Sequence, residues 1–274
     1  MILSLLLVFA LLYTLAIFLY TGWYQSISDI WILFVSFVVG IIIAVIILLL
    51  YIYILSLFIK KNQTFDKAKK IYLRIVLRVA ELLLMVTRTN VYVRGLENIP
   101  TDKKFLIVTN HQSWVDAIVT AWALRAYDLS FVLKKSLTTK FVLGKYLNAS
   151  GYISLDRENP REGVKAINKS VEKITSDTAS ILIFPEGTRS GSYEMGEFHN
   201  GSFKIATKAK CPIVVCSLQN SFKVTKRCPF KSTNVYFDVI EVIDYNNYEN
   251  KTTQEISDYA HELIKENLEN LPKY

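Results

Sequence analysis

Seven consecutive residues have the types and spacing of a proton-abstracting site: Asn110-His111-Gln112-Ser113-Trp114-Val115-Asp116. An imidazole with an ordinary pKa of about 6.5 is largely neutral at physiological pH. A carboxylate beside it fixes the tautomer and stabilises the imidazolium formed when it takes a proton. A spacing of five puts the two side chains on different faces of a single helix. The pairing therefore needs His111 in a loop and Asp116 in the first helical turn, with the loop folding the ring back. The same residues also fit an ordinary helix start, with Asn110 or Ser113 as cap and Asp116 against the helix dipole.

The flanking residues supply the elements for the first arrangement. Phe105–Thr109 is apolar and rich in strand formers, and Ala117–Leu124 reads as a helix, so His111 falls in the turn after a buried strand. Before it lie a short strand, Asn90–Arg94, and a turn, Gly95–Pro100. After it, Phe131–Leu133 is strand-like and ends at Lys134-Lys135, and Gly151–Leu155 is a strand that runs into Asp156-Arg157. Asn159-Pro160 starts a helix reaching about Ile174, with proline at the first helical position. Ser180–Phe184 lacks alternation, as a strand covered on both faces does. It leads into Pro185-Glu186-Gly187-Thr188-Arg189-Ser190. Phe203–Lys210 reads as helix and Pro212–Leu218 as buried strand, while Asn234–Ile243 alternates and belongs toward a sheet edge. Thr252-Thr253-Gln254-Glu255 fits a capping box that opens a polar C-terminal helix.

Strands alternating with helices predict an α/β domain with a largely parallel central sheet flanked by helices. In such sheets ligands gather at the carboxyl ends of the strands. His111, Lys134, Arg157 and Glu186 to Arg189 all fall just after predicted strands. Gly187 lets the backbone turn tightly, and amides there can bind an anion. Arg189 can grip a phosphate with two parallel hydrogen bonds, and Lys134 adds a point charge. Glu186 is expected to orient a basic neighbour such as Arg189. No serine or cysteine nucleophile is placed by motif, so the base is expected to act on a hydroxyl of the substrate. A lipid hydrolase using Ser113 or Ser202 lacks its G-x-S-x-G elbow, and the G-x-G-x-x-G and Walker A patterns of nucleotide enzymes are missing too.

Charge is unevenly placed. Residues 1–59 hold one charged side chain, Asp29, and the remaining 215 carry all 32 Lys and Arg against 23 Asp and Glu. An excess of +9 suits an anionic partner, and its attachment to an apolar N-terminus favours lipid over nucleic acid. Met1–Tyr20 and Ile30–Ile59 are apolar runs, the second of about 45 Å as a helix against a hydrocarbon core of about 30 Å. Thr21 to Ser26 offers a turn with interfacial aromatics between them. The first run has neither the basic start nor the small-residue cleavage site of a signal peptide. Residues 1–59 are thus expected to form a membrane-anchoring helical hairpin. Lys60, Lys61, Lys67, Lys69 and Lys70 follow it and put its C-terminal end in the cytoplasm. A hairpin embedded in one leaflet is the rival arrangement. Residues 60–89 hold a basic amphipathic helix, with Lys67, Lys70, Arg74 and Arg78 opposed to Tyr72, Val76, Val79 and Leu83. Such a helix lies on anionic lipid or packs on the domain that follows, residues 90–274. Three cysteines in irregular spacing form no disulfide framework, and no histidine near them suggests a metal site. They read as reduced, cytosolic thiols.

A hydroxyl acceptor, a phosphate clamp and a membrane anchor fit acyl transfer onto a lysophospholipid. The motifs also resemble a known family. Asn110–Asp116 is similar to the NHxSxxD block of the 1-acylglycerol-3-phosphate O-acyltransferases, the PlsC-like lysophosphatidate acyltransferases. Phe184-Pro185-Glu186-Gly187-Thr188-Arg189-Ser190 matches their FPEGTRS block, Gly151–Arg157 resembles the intervening arginine block, and Gly95–Pro100 the segment before the first. The resemblance spans roughly residues 90 to 220. It implies transfer of a fatty acyl group from acyl-CoA or acyl-carrier protein to the sn-2 hydroxyl of 1-acylglycerol 3-phosphate, giving phosphatidate. It implies His111 as base, Asp116 as its partner, and Lys134 and Arg189 as phosphate ligands. Arg157, Glu186, Gly187 and Thr188 would shape acceptor binding, with no metal or prosthetic group. The apolar N-terminus and its basic flank lead to the expectation of an enzyme of the cell membrane with its catalytic domain on the cytoplasmic face. Two positions depart from the family pattern: Ser136 stands where K-x-E-L has its acidic residue, and Pro212-Ile213-Val214-Val215-Cys216 lacks the second proline of P-I-V-P-V.

Overall fold

The computed structural model of the chain describes residues 2–21, 30–60, 65 and 67–270. They fall into two compact units, Met1–Lys61 and Asn62–Tyr274.

The first unit pairs helix α1 (Ile2–Thr21) with α2 (Ile30–Leu57). Both are apolar around their whole circumference, so most large side chains face outward, Leu12, Trp31 and Ile46 among them. The helices meet through small residues. Ser36, Gly40 and Ala44 recur at four-residue spacing on the buried side of α2. At Gly40 a Cβ would come within 3.0 Å of the Ala10 backbone, so glycine is what permits the close approach. This is the packing of helices in lipid, where small side chains let backbones touch. The hydroxyls of Thr14 and Ser36 bond back to the carbonyls of Ala10 and Leu33, at 2.8 and 2.9 Å. Among the described residues, Trp31–Leu57 is long and apolar enough to cross a bilayer, whereas the apolar stretch of α1, Ser4–Tyr20, is shorter. The expected turn lies outside the described residues, apart from Thr21 at the end of α1.

The second unit runs α3 (Lys70–Val86), β1 (Thr89–Arg94), β2 (Leu106–Thr109), α4 (Asp116–Ala123), β3 (Leu129–Lys134), α5 (Lys135–Thr138) and α6 (Leu143–Ala149). It continues through β4 (Ile153–Leu155), α7 (Pro160–Thr175), β5 (Ser180–Ile183), α8 (Lys204–Ala209), β6 (Ile213–Gln219), α9 (Ser221–Arg227), β7 (Thr233–Ile243) and α10 (Thr253–Asn270). The seven strands form one sheet in the order β1-β7-β6-β2-β5-β3-β4, parallel throughout except where β6 meets β7.

The period-2 alternation of strand side chains divides the core into two layers. Ile107, Leu182, Val214 and Leu218 point to the face covered by α3, α4, α6 and α9, where Leu84, Val119, Leu147 and Val224 meet them. Leu106, Val108, Ile181, Ile183 and Ile213 point to the other face, against Ala166 and Ile174 of α7, Ile205 of α8, and Ile256 and Ile264 of α10. Each such side chain stabilises the fold by about 1.5–3 kcal/mol relative to exposure. Central strands buried on both faces explain why their sequences do not alternate.

The helices start as their sequences dictate. The Asn159 side chain accepts from the Arg161 amide at 3.1 Å, with Pro160 at the first position of α7. At α10, Thr252 N donates to Glu255 Oε2 at 2.7 Å, and Glu255 N returns a bond to Thr252 Oγ1 at 3.3 Å. Helix α3 lies in the second unit, and its inner face is offset from the expected stripe. Ala80 and Leu84 are buried with Leu77 packed beside them, while Tyr72, Val76, Val79 and Leu83 are half-buried. The reason is tertiary: α3 packs on α4 and α6, which occupy one side of the sheet. β7 lies one strand in from the edge, with β1 outside it.

The topology creates one crevice. From β2 the chain crosses by α4 to β3, past β5 on one face. From β5 it crosses by α8 to β6, past β2 on the other face. The chain therefore leaves two neighbouring parallel strands in opposite directions, which is the switch point where open α/β sheets bind ligands. His111 follows β2, and Glu186 to Arg189 follow β5.

Candidate active site

Asp116 is the first residue of α4 and is fully buried. Its Oδ2 accepts three short bonds: from His111 Nδ1 at 2.7 Å, Gln112 N at 2.6 Å and Ser113 N at 2.8 Å. A buried carboxylate is costly unless its lone pairs are satisfied, and these donors, with the helix N-terminus behind them, satisfy them. The loop that carries His111 is thus wound around the carboxylate. Because Nδ1 faces Asp116, it carries the proton in the neutral ring. Nε2 is then the lone-pair nitrogen, with no partner among the described residues. The Phe184 ring stacks on the imidazole, with centroids 4.2 Å apart, and holds its plane.

Asn110 and Ser113 do different work from a helix cap. The Asn110 amide exchanges two bonds with Leu218 of β6, at 2.7 and 2.9 Å, and so continues the β2–β6 ladder by one side chain. Ser113 Oγ accepts from the Val115 amide at 3.1 Å, a local turn before α4.

Glu186 does not orient Arg189. Its Oε1 accepts from the His111 amide at 2.6 Å and its Oε2 from the Gly196 amide at 2.9 Å. Burial pushes its carboxyl up to about 7; these two amides oppose the rise and nearby Asp116 adds to it. Two further bonds lace the loops together: Ser190 N to His111 O at 2.9 Å and Gly191 N to Gln112 O at 3.1 Å. The backbone that carries Arg189 is therefore held against the His111 loop. Gly187 has φ +70°, and a Cβ on it would press on the His199 ring at 3.1 Å. The amides of Thr188 and Arg189 beyond it make no bond to protein among the described residues, and both side chains are exposed. Successive free amides after a left-handed residue make an anion-binding nest.

Arg157 ends the turn after β4. Partial burial, then the charge of Arg189, hold its guanidinium below the ordinary value, so the two cations converge. Neither has a carboxylate partner among the described residues. Lys134 closes β3 in register with Leu155, two residues before Arg157. Its charge bears on Asp156, whose carboxylate is held by Lys135 at 3.1 Å. The sequence-predicted residues thus form two groups: His111, Asp116 and Glu186 in the buried loops, and Arg157, Thr188 and Arg189 in front of them. Lys134 stands beside Asp156 rather than in contact with either.

A cavity of about 300 Å³ opens beside Arg157, lined also by Gly187 and His199 and by apolar Val132, Ile183 and Ile205. Phe184, Gly196 and His199 were not singled out by spacing, because their roles depend on contacts made only after the loops fold.

An imidazole held by a buried carboxylate, in the same laced loops as an unneutralised anion cradle at the switch point of an α/β sheet, suits proton abstraction from the hydroxyl of an anionic acceptor. Residues 90–219 match the acyltransferase family. The 1-acyl-sn-glycerol-3-phosphate acyltransferase BAT2 of Brassica napus is 35% identical over 133 residues, 48% of this chain and 38% of that protein. The 1-acyl-sn-glycerol-3-phosphate acyltransferase of Limnanthes alba is 27% identical over 194 residues, 71% of this chain and 68% of that one. The crystal structure of the acyltransferase PlsC from Thermotoga maritima has the same fold, with a TM-score of 0.62 at 24% identity over 74% of this chain and 80% of that one. Over that stretch the chain is similar to the 1-acyl-sn-glycerol-3-phosphate acyltransferases, and it spans little more than a third of the length of the Brassica napus relative.

Proposed function

We propose that the protein transfers a fatty acyl group from acyl-CoA or acyl-carrier protein to the sn-2 hydroxyl of 1-acylglycerol 3-phosphate, giving phosphatidate. The observation that carries this reading is the placing of a carboxylate-held imidazole, His111, in the same laced loops as Arg189. One glycerol phosphate spans such a site, with its phosphate on the cradle and its alcohol at Nε2.

In this reading Nε2 takes the proton of the acceptor hydroxyl as its oxygen attacks the thioester carbonyl. The new ester C–O bond forms, the C–S bond breaks, and the imidazolium returns its proton to the departing thiolate. Asp116 stabilises the imidazolium between the two transfers. No covalent acyl-enzyme is needed, in keeping with the state of the candidate nucleophiles. Ser113 Oγ is buried and bonded within its turn, and burial pushes the Cys211 thiol up to about 12 and that of Cys216 further. Arg189, Thr188 and the free amides bind the phosphate, with Arg157 and Lys134 adding positive potential and Glu186 fixing the loop. No metal or prosthetic group takes part.

Residues 1–59 anchor the enzyme in the cell membrane, and the basic residues after α2 put the catalytic domain on the cytoplasmic face. The outward face of α3, with Lys70 and Arg74 exposed, lies on anionic headgroups.

The test is an acceptor and donor panel with the purified full chain in lipid nanodiscs. Lysophosphatidate should be acylated with at least one of the two donors, well ahead of glycerol 3-phosphate and lysophosphatidylcholine. Preferred acylation of glycerol 3-phosphate, or of an acceptor lacking a phosphate monoester, would overturn the acceptor assignment.

A further inference from the structure

We propose that His199 is a third side-chain ligand for the acceptor phosphate beside Arg157 and Arg189. The inference rests on the function proposed above and adds a residue to the same cradle.

Geometry places it there. The backbone of His199 is pinned, with its amide donating to Pro185 O at 2.9 Å and its carbonyl accepting from Ser202 N at 3.0 Å. The side chain is exposed, and the imidazole makes no hydrogen bond among the described residues. The ring lies on Gly187, where an added Cβ would stand 3.1 Å from Cδ2 and 3.2 Å from Nε2. It is therefore next to the nest that opens at Thr188 and Arg189, and it lines the same cavity as Arg157. The absence of a side chain at Gly187 leaves room for the ring as well as for the left-handed turn.

The surrounding charges leave the role open to a cation. Arg157 and Asp156 face this region from the β4–α7 connection, and Asp156 is already bridged to Lys135. From the loop after β5 come Arg189 and Glu186, whose carboxylate is taken up by the amides of His111 and Gly196. From α10 comes His261, with Nε2 on Gly196 O at 3.2 Å and its ring against Phe198. Lys204 begins α8, and Glu197 precedes Phe198 in the same segment. Two guanidinium charges balance a phosphate dianion, and its three terminal oxygens leave acceptor sites for a further donor. A protonated imidazole donates a charge-assisted bond, whereas the neutral ring donates at most a weaker one.

The test is the KM for 1-acylglycerol 3-phosphate, in mixed micelles at fixed mole fraction, for wild type, H199K, H199Q and R189A. H199Q should raise KM roughly fivefold to tenfold with kcat little changed, and H199K, which restores a cationic donor, should bring KM back toward wild type. A KM in H199Q equal to that of wild type, with KM still raised in R189A, would overturn this inference alone. An unchanged KM in R189A, or no turnover of lysophosphatidate by wild type, would remove the functional reading and this inference with it. H199Q carries the test by itself if the lysine variant does not fold, as judged by thermal unfolding in the same micelles.

Discussion

Asp116 accepts three bonds of 2.8 Å or less in a place with no exposed surface, whereas Arg189, in a loop laced to the same residues, stands in solvent without a carboxylate partner. The proposed base, His111, is pre-organised: its tautomer, its plane and its loop are all fixed before any substrate arrives. The cradle is the reverse, with cations and amides left unsatisfied until an anion arrives. The contrast assigns the two halves to different kinetic quantities. Groups fixed in advance act on the transition state and set kcat, while groups that meet the ground-state phosphate set KM.

The largest effect tests the buried half. H111A should lower kcat by about 10³-fold or more, since removing a general base forfeits a factor on the order of 10² to 10⁴. The readout is phosphatidate formation from labelled donor at saturating acceptor, with an unchanged thermal midpoint showing that the fold survives. Retained turnover would remove His111 from the chemistry. R189A comes next and tests the exposed half. Losing a charge-assisted pair of bonds should raise the acceptor KM roughly thirtyfold, about 2 kcal/mol. Equal damage to kcat would dissolve the division between the halves. The smallest expected effect lies where the halves join. Glu186 binds its proton more tightly folded than unfolded, with its carboxyl raised from 4.5 to about 7. Between those values the folded state holds more protons, so this group's contribution is full below about pH 4.5 and is lost as pH rises to about 7. The loss is roughly 2–3 kcal/mol. Thermal midpoints across that window should fall more steeply in wild type than in E186Q. Parallel curves would mean that Glu186 titrates normally in the folded protein.

Much of this was legible before folding. The strand–loop–helix around His111 follows from an apolar run, a polar loop and a second apolar run, and of the two arrangements these allow for Asp116 the structure has the pairing with His111, at 2.7 Å. The central strands, the start of α7 and the capping box of α10 are written in local sequence. Other features are not local. Glu186 sits three residues from Arg189, and proximity in sequence pointed to an ion pair. Its actual partner is an amide 75 positions away, which no spacing rule reports. The antiparallel pairing of β6 with β7 and the offset inner face of α3 arise from the layers they pack in. The short helices α5, α6 and α9 hold four to seven residues, too few for a hydrophobic period to stand out.

The lacing between the two loops has one more consequence. Its three bonds join the His111–Gln112 backbone to Glu186, Ser190 and Gly191, so the two segments form one small cooperative unit despite their distance along the chain. Such a unit comes apart as a whole or stays shut, because opening one segment strands the polar groups of the other. A lipid seated on the outer segment would therefore also suppress opening of the inner one, and occupancy by substrate would itself guard the reactive ring against local melting.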